Sequence, residues 1–457
     1  MKFPTMEIEI EVISKETIKP SSPTPKSQSK YYLSFLDQIA PPIFMPLVYF
    51  YPADNKIDNS EKSKHLKKSL SQVLSIFYPL AGRLVDDLYI DCNDQGAPYV
   101  EAEANCNLSR VITNPIPRNM NKFLPYRLDD LQNLGMAVQV TFFQCGGLAV
   151  GLVISHKIAD ALSFFLFANS WAAVARNGNA LDGPGPKYEG ATIFPPRDVL
   201  GFKPSTGIVK DEIVTKIFTF PTSKISRLQD RYSGGGEGGD PTDVELPKQR
   251  PTRVEALSAF IWTRFISAME MKPDPNKVYT VLHAVNLRTR LDPPLSEYHF
   301  GNISRLAIAV PDMVDGSVID NGYELLQKVR GAIRAVNGDY VAQLKEGDKH
   351  LNFIKERMAQ ANKGELVTFN FTSLCRFPLY EADFGWGKPV WVGSAGMTYK
   401  NLVTFMDTAS GDGIEAWVNL KKEDMEKLEA DLELQEFLCP SSVDVKSFGF
   451  QKLAIVN

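Results

Sequence analysis

The run GLAVGLVISHKIADALSFFLFANSWAAVA occupies residues 147–175, and its reading decides the fold. Residues 147–155 are apolar up to Ser155, the pattern of a strand buried on both faces. Residues 161–175 are equally apolar, contain neither Gly nor Pro, and are too long for an ordinary strand, so they predict a helix. Between the two lies HKIAD, residues 156–160. A buried strand therefore delivers His156 to its end, where strands open into loops and chemistry-bearing side chains are commonly presented.

The same reading extends in both directions. Acidic and apolar residues alternate over 7–13, which predicts a first strand closed by the Pro/Ser-rich turn 19–25. Residues 66–77 (LKKSLSQVLSIF) place Leu66, Leu70, Val73, Leu74 and Phe77 on one helical stripe, with Pro79 as the stop. Strands are expected at 88–91, 99–102 and 136–143, separated by Asn/Asp/Gly turns. Downstream, the Gly/Pro-rich stretch 176–208 begins a connection, and SGGGEGGDP at 233–241 reads as a flexible surface loop. Helices follow at 253–265, 324–337 and 423–434, and strands at 278–285 and 303–310. Strands and helices mix in both halves, which favours α/β or α+β, and 457 residues suggest two domains, possibly three. There is no internal repeat of fixed period.

Composition narrows the function. A formal net charge of −4, with Lys and Arg spread along the chain, gives no electrostatic case for nucleic acid. The five cysteines are widely spaced and contain no CxxC pair, so neither a disulfide framework nor a zinc site is indicated, and a reducing compartment fits. The N-terminus lacks the apolar core of a signal peptide, no apolar run reaches membrane-spanning length, and the C-terminal AIVN matches no peroxisomal or ER-retention tail. The expectation is a cytoplasmic protein with no membrane partner.

Histidine is the usual side chain for taking a proton near neutral pH. Of the five, His65 lies among lysines and His350 follows Gly-Asp-Lys, so both read as solvated. His283 sits within an apolar strand and reads as a core residue; His299, in a loop, is a candidate to line a site. His156 has the best setting. Asp160, four residues on, would share its face if 156–160 were helical. In a turn it would point elsewhere and brace the backbone.

These residues also carry a family resemblance. HKIAD at 156–160 resembles the HxxxD motif of the plant BAHD acyltransferases, and DFGWG at 383–387 matches their second motif without a mismatch. YLSFLD (32–37), YPLAGR (78–83), RVEALSAFIW (253–262), FGN (300–302) and GIEAW (413–417) are similar to further family segments. The overall pattern, with IKPSSPTP at 18–25, looks most like the family's alkaloid acetyltransferases.

The resemblance implies an α/β fold of two chloramphenicol acetyltransferase-like domains, each a mixed sheet with flanking helices, with a channel between them. The implied division is an N-terminal domain over 1–200, a crossover linker over 201–250 and a C-terminal domain over 251–457. It implies a monomer that transfers an acyl group from acyl-CoA to a small-molecule alcohol, without a permanently bound cofactor and without a metal. An acetyl group moved to an alkaloid hydroxyl is the leading expectation. Aromatic or malonyl donors, an amine acceptor, or a non-catalytic or cyclase-like relative are the alternatives. Position by position, His156 is implied as general base and Asp160 as a brace to Arg288, with Arg290 the alternative partner. Thr372 is implied as the oxyanion contact, and Ser258 and Ser373 as contacts to coenzyme A. Tyr32, Phe300 and Phe369 are expected along the acceptor channel. Where the family has Thr-Ser-Trp, this chain reads Thr372-Ser373-Leu374, so an indole N–H is absent there. Asp383, Gly385, Trp386 and Gly387 are read as structural support, the glycines permitting a tight turn.

Overall fold

Residues Leu148–Ser155 form a strand in which every residue is buried, and Ala161–Asn177 form the helix that follows. The computed structural model describes residues 7–439 apart from 55, 129, 131–132, 179–180, 200–211, 234–249, 270–273, 275, 312–321, 347–348 and 397–398. The first half supplies β1 (Ile10–Ile18), β2 (Lys30–Tyr32), β3 (Phe44–Tyr51), β4 (Arg83–Val85), β5 (Tyr89–Asp91), β6 (Ala97–Ala104), β7 (Met136–Phe143) and β8 (Leu148–Ser155). The second supplies β9 (Ile213–Pro221), β10 (Val278–Asn286), β11 (Ser304–Ala309), β12 (Leu366–Ser373), β13 (Trp391–Gly393), β14 (Leu402–Asp407) and β15 (Gly413–Lys421).

Two six-stranded sheets result, ordered β1-β6-β7-β8-β3-β13 and β11-β10-β12-β14-β15-β9, with a small sheet β2-β5-β4 beside them. Both large sheets are mixed. In the first, only β6 and β7 run parallel; in the second, β12 runs parallel to both β10 and β14. The architecture is therefore the expected α/β arrangement of two sheet-rich halves.

Each sheet is covered by helices chosen by their apolar stripes. Asn59–Ile76 buries Leu66, Leu70, Val73 and Leu74 in one core with Phe164, Phe167 and Trp171 of Ala161–Asn177 and with β7 and β8. The Trp171 indole donates to Ser69 Oγ at 3.1 Å, which satisfies the buried N–H between the two helices. In the second half Arg253–Ala268 starts at a Thr252/Glu255 capping box and packs Phe260 and Phe265 into a core with Phe369, Phe371 and Phe405.

Several elements depart from their expected bounds for identifiable reasons. β1 runs on to Ile18, because its pairing with β6 and not its apolar pattern sets its length. The helix expected from residue 66 starts at Asn59, since its first turns are polar and are nucleated by the Asp58 cap on the Glu61 N–H. The single helix expected over 423–434 is two, Lys422–Glu429 and Leu432–Phe437, because Asp431 caps the second by accepting from Leu434 N–H. The span 201–250, expected as a linker, contains β9, which pairs with β15 along its whole length, and the helix Thr222–Arg231. The glycine-rich loop read at 233–241 lies, beyond Ser233, outside the described residues.

β13 belongs to the second half of the chain but pairs with β3 of the first sheet. Its Trp391 stacks on Trp417 of β15 with ring centroids 6.0 Å apart, so the two sheets are joined by an indole pair. Among the described residues no helix is long and apolar enough to cross a membrane.

Candidate active site

The strand ladder between β8 and β3 ends at Ser155, opposite Phe44. His156 continues the pairing by one bond, donating its N–H to the Ile43 carbonyl at 2.8 Å, and the chain then turns. The turn closes with Asp160 as N-cap of the next helix, its Oδ1 accepting from Ser163 N–H at 2.9 Å. The segment 156–160 is thus a turn and not a helix, and His156 and Asp160 do not form a side-chain pair.

The His156 ring is instead fixed by its own turn. Nδ1 lies 3.0 Å from the Ala159 carbonyl oxygen. A carbonyl can only accept, so Nδ1 carries the proton and Nε2 keeps its lone pair. Burial lowers the imidazole pKa from its ordinary 6.5, against the opposing charge of Asp160, which favours this neutral form.

Asp160 turns into the protein and meets Arg288, which is 2% exposed. The pair is bidentate, Nη1 to Oδ2 at 2.7 Å and Nη2 to Oδ1 at 3.1 Å. Oδ2 also accepts from Ile303 N–H at 3.1 Å, and the guanidinium donates to the carbonyls of His299 and Gly301. Burial alone would raise the Asp160 carboxyl. The Arg288 charge and these hydrogen bonds outweigh it and hold the pKa below the ordinary 3.8. Arg290, the other expected partner, is half-buried in the next turn and is not bonded to Asp160.

His156 and Asp160 line a cavity of about 1470 Å³. Its wall draws on both halves: Ile43 and Phe44–Leu47 of β3, Phe164 and Phe165, then Leu282, Leu306 and Ile308, Val336 after the helix Gly322–Ala335, the helices carrying Leu344 and Phe353, and Asn370–Ser373 of β12 with Leu374 beyond it. Most of this lining is aliphatic or aromatic. At one end Arg305 donates to His350 Nε2 at 2.7 Å, and burial with the Arg305 charge pushes His350 down to about 3. His350 is therefore part of the cavity wall and not solvated as its neighbours in sequence suggested. His65 is likewise half-buried, edge-on to Trp386. His299 is buried against Ser296 and Glu189, away from the cavity.

Thr372, Ser373 and Leu374 all reach the cavity from the end of β12. Other expected contacts do not. Phe369 shares that strand but packs on Phe265 in the core of the second half and does not border the cavity. Tyr32 is the outward neighbour of buried Tyr31, 55% exposed and beside Tyr89. Phe300 is fully buried between Phe77 and Tyr188. Ser258 is buried within its helix, its hydroxyl without a partner among the described residues, and does not border the cavity.

DFGWG also lies off the cavity. The Asp383 Oδ1 accepts from the N–H groups of Gly385 and Gly387 at 2.8 and 2.9 Å, closing a tight loop. Phe384 packs on Trp171 with centroids 4.9 Å apart, and the Tyr51 hydroxyl donates to the Ala382 carbonyl at 2.7 Å. The glycines are required by conformation and not by space. Their φ values are 107° and 103°, and a Cβ at either would meet nothing within 4 Å.

Two residues beside the site were not singled out in the sequence, although Lys157 lies within HKIAD and Asn302 within FGN. Lys157 is wholly buried and donates from Nζ to the Gln38 carbonyl at 2.8 Å. Asn302 donates from Nδ2 to the His156 carbonyl at 2.7 Å and to Asp37 Oδ1 at 2.9 Å. Among the described residues no group of three or more His, Cys, Asp or Glu side chains is arranged to hold a metal ion.

Comparison with known proteins agrees with this geometry. The sequence model of the Transferase family matches residues 8–435. Stemmadenine O-acetyltransferase of Catharanthus roseus is 35% identical, the alignment covering 93% of this chain and 97% of that protein. Vinorine synthase of Rauvolfia serpentina is 36% identical over the same shares of the two chains. The crystal structure of vinorine synthase superimposes with a TM-score of 0.78, covering 94% of this chain and 98% of that one. The structure of F. sporotrichioides TRI101 complexed with coenzyme A and T-2 shares the fold at 17% identity and a TM-score of 0.65, over 89% of this chain and 99% of that one. With the HxxxD segment on the cavity wall, the DFGWG segment closing a tight loop away from it, and relatives alike along nearly their whole length, the chain belongs to the Transferase family, the BAHD acyltransferases, and is an acyl-CoA-dependent acyltransferase.

Proposed function

We propose that the protein transfers an acetyl group from acetyl-CoA to a hydroxyl of a polycyclic plant metabolite, an alkaloid or a terpenoid of similar bulk, with His156 as general base. The observation that carries this reading is the neutral imidazole on the cavity wall, its Nδ1 proton committed to Ala159 and its Nε2 free to accept. Nε2 takes the proton of the acceptor hydroxyl as that oxygen bonds to the thioester carbonyl carbon. The tetrahedral oxyanion then collapses, the C–S bond breaks, and the leaving thiolate recovers the proton from His156. The rate gain lies in holding both substrates in one cavity and stabilising the transient charge, for which Thr372 is the proposed donor.

The acceptor class follows from the cavity's size and its largely apolar wall, and from relatives named as O-acetyltransferases of stemmadenine and of limonoids. Ser373, on the same wall, is the proposed contact to coenzyme A; Leu374 leaves acceptor orientation to shape and not to an indole donor. We divide the chain into two acyltransferase halves, one ending before residue 200 and one beginning with β9, and read the enzyme as a cytoplasmic monomer.

The test is product detection by mass. Purified protein is incubated with acetyl-, malonyl-, benzoyl- and p-coumaroyl-CoA against a panel of indole alkaloid and limonoid alcohols. A product heavier by one acetyl group on a polycyclic alcohol is expected. Turnover confined to aromatic or malonyl donors, or to amines, would replace the proposed donor or acceptor.

A further inference from the structure

The carbonyl of His156 lies just past the last residue of β8, where the sheet ladder no longer supplies a partner. Asn302 fills that gap from a distant part of the chain, its Nδ2 donating to the carbonyl at 2.7 Å. The same Nδ2 donates to Asp37 Oδ1 at 2.9 Å, and Asn302 N–H reaches that oxygen at 2.8 Å. Both neighbours of the amide nitrogen are acceptors. Turning the amide over would set its oxygen against a carbonyl and a carboxylate, so the orientation is determined by chemistry. Asp37 is completely buried and is itself anchored, its Oδ2 accepting from Ser34 N–H at 2.9 Å and Ser34 Oγ at 2.7 Å. Asn302 is 4% exposed.

We propose that Asn302, held by Asp37, is a positioning residue for His156, setting the peptide plane from which the imidazole hangs. The HKIAD turn is then clamped at both ends by the 286–303 region: Arg288 and Ile303 N–H hold Asp160, and Asn302 holds His156. The two clamps are distinct in chemistry, an ion pair at one end and a neutral amide relay from a buried carboxylate at the other. A shift of the 156–157 peptide would tilt the ring, lengthen the Nδ1 contact to Ala159 and move Nε2 from the acceptor hydroxyl. Asn302 touches neither substrate, since it does not border the cavity.

This inference rests on His156 being the base, and its test separates the two claims. Asn302→Ala, Asn302→Asp and Asp37→Asn are compared with His156→Ala, using acetyl-CoA and the panel alcohol that turns over, with thermal unfolding of each protein. Loss of positioning is expected to lower kcat of Asn302→Ala by roughly 10- to 100-fold with the KM for acetyl-CoA within about twofold. Asn302→Asp, which matches the shape but replaces the donor with an acceptor, is expected to be slower still. If Asn302→Ala does not fold, Asp37→Asn carries the same test, since it keeps the carboxylate's shape. A soluble Asn302 variant with kcat within about threefold of the parent overturns the proposal, as does a rise in acetyl-CoA KM that accounts for the whole loss. If His156→Ala still turns over, the base assignment fails; if it is inactive while Asn302→Ala is normal, only the positioning role fails.

Discussion

At the scale of single residues, the proposed mechanism separates two jobs. On that mechanism His156 accepts the proton, since burial and the Ala159 carbonyl favour a neutral ring with Nε2 open. The acid limb of kcat/KM is therefore expected below pH 6.5, because the rate falls only as pH drops through a histidine pKa that is lower than ordinary; a limb at or above 6.5 would contradict the assignment. Asp160 holds the turn. Replacing it with Ala leaves the buried Arg288 charge unpaired, and a loss of about 3–5 kcal/mol of stability is expected by denaturant titration. Because its folded pKa lies below 3.8, the stability that Asp160 contributes is present above that value and is lost as pH falls further. An Asp160→Ala protein of normal stability with only a rate defect would instead mark a reacting carboxylate. His156 was legible in the sequence as a strand-end histidine, and Arg288 through the family pattern. Asn302 and Asp37 fall within the FGN and YLSFLD segments, but their contact across 265 positions was not legible, because no periodicity links residues that meet only across the two halves. Tyr32, Phe300 and Phe369 do not border the cavity for a related reason: aromatic character does not say whether a ring meets a cavity, a core or solvent.

Elements carry the next layer. The decisive strand and helix around 147–175 could be read directly because both are apolar and contain no proline. β3 could not, since Pro46 interrupts FMPLVYFY and argues against a central strand. The structure accommodates it because β13 pairs only with Val48–Phe50, leaving Pro46 on an unpaired edge on that side. The DFGWG loop is an element of the same kind, one whose backbone conformation matters more than its side chains. Gly385→Ala is expected to cost about 1–3 kcal/mol from backbone strain alone, seen as a lower unfolding midpoint. Asp383→Asn, which keeps an oxygen for the two glycine N–H groups, is expected to retain activity, whereas Asp383→Ala is expected to lose stability and rate together. An inactive but fully stable Asp383→Asn would give that carboxylate a chemical role.

For the whole molecule, two sheets share one cavity and are joined where Trp391 stacks on Trp417. Glu415 accepts from both indoles at 3.3 and 3.2 Å, and burial, opposed by those bonds, raises its carboxyl to about 7. A folded pKa above the unfolded 4.5 contributes stability below that value, lost as pH rises towards about 7. Glu415→Gln is therefore expected to lose less stability than the parent between pH 5 and 8, and equal slopes would show that this carboxyl does not titrate at the junction. Composition and spacing anticipated two halves, but not that β13 would complete the other half's sheet, because a three-residue strand has no periodicity to read. The shared cavity matters only if His156 takes the proton within it. The most direct measurement is steady-state acetyl transfer by His156→Ala beside the parent, with coenzyme A binding and thermal unfolding measured on both. The expected result is a turnover lower by roughly 100-fold or more with binding and stability preserved; turnover within a few fold of the parent would contradict it.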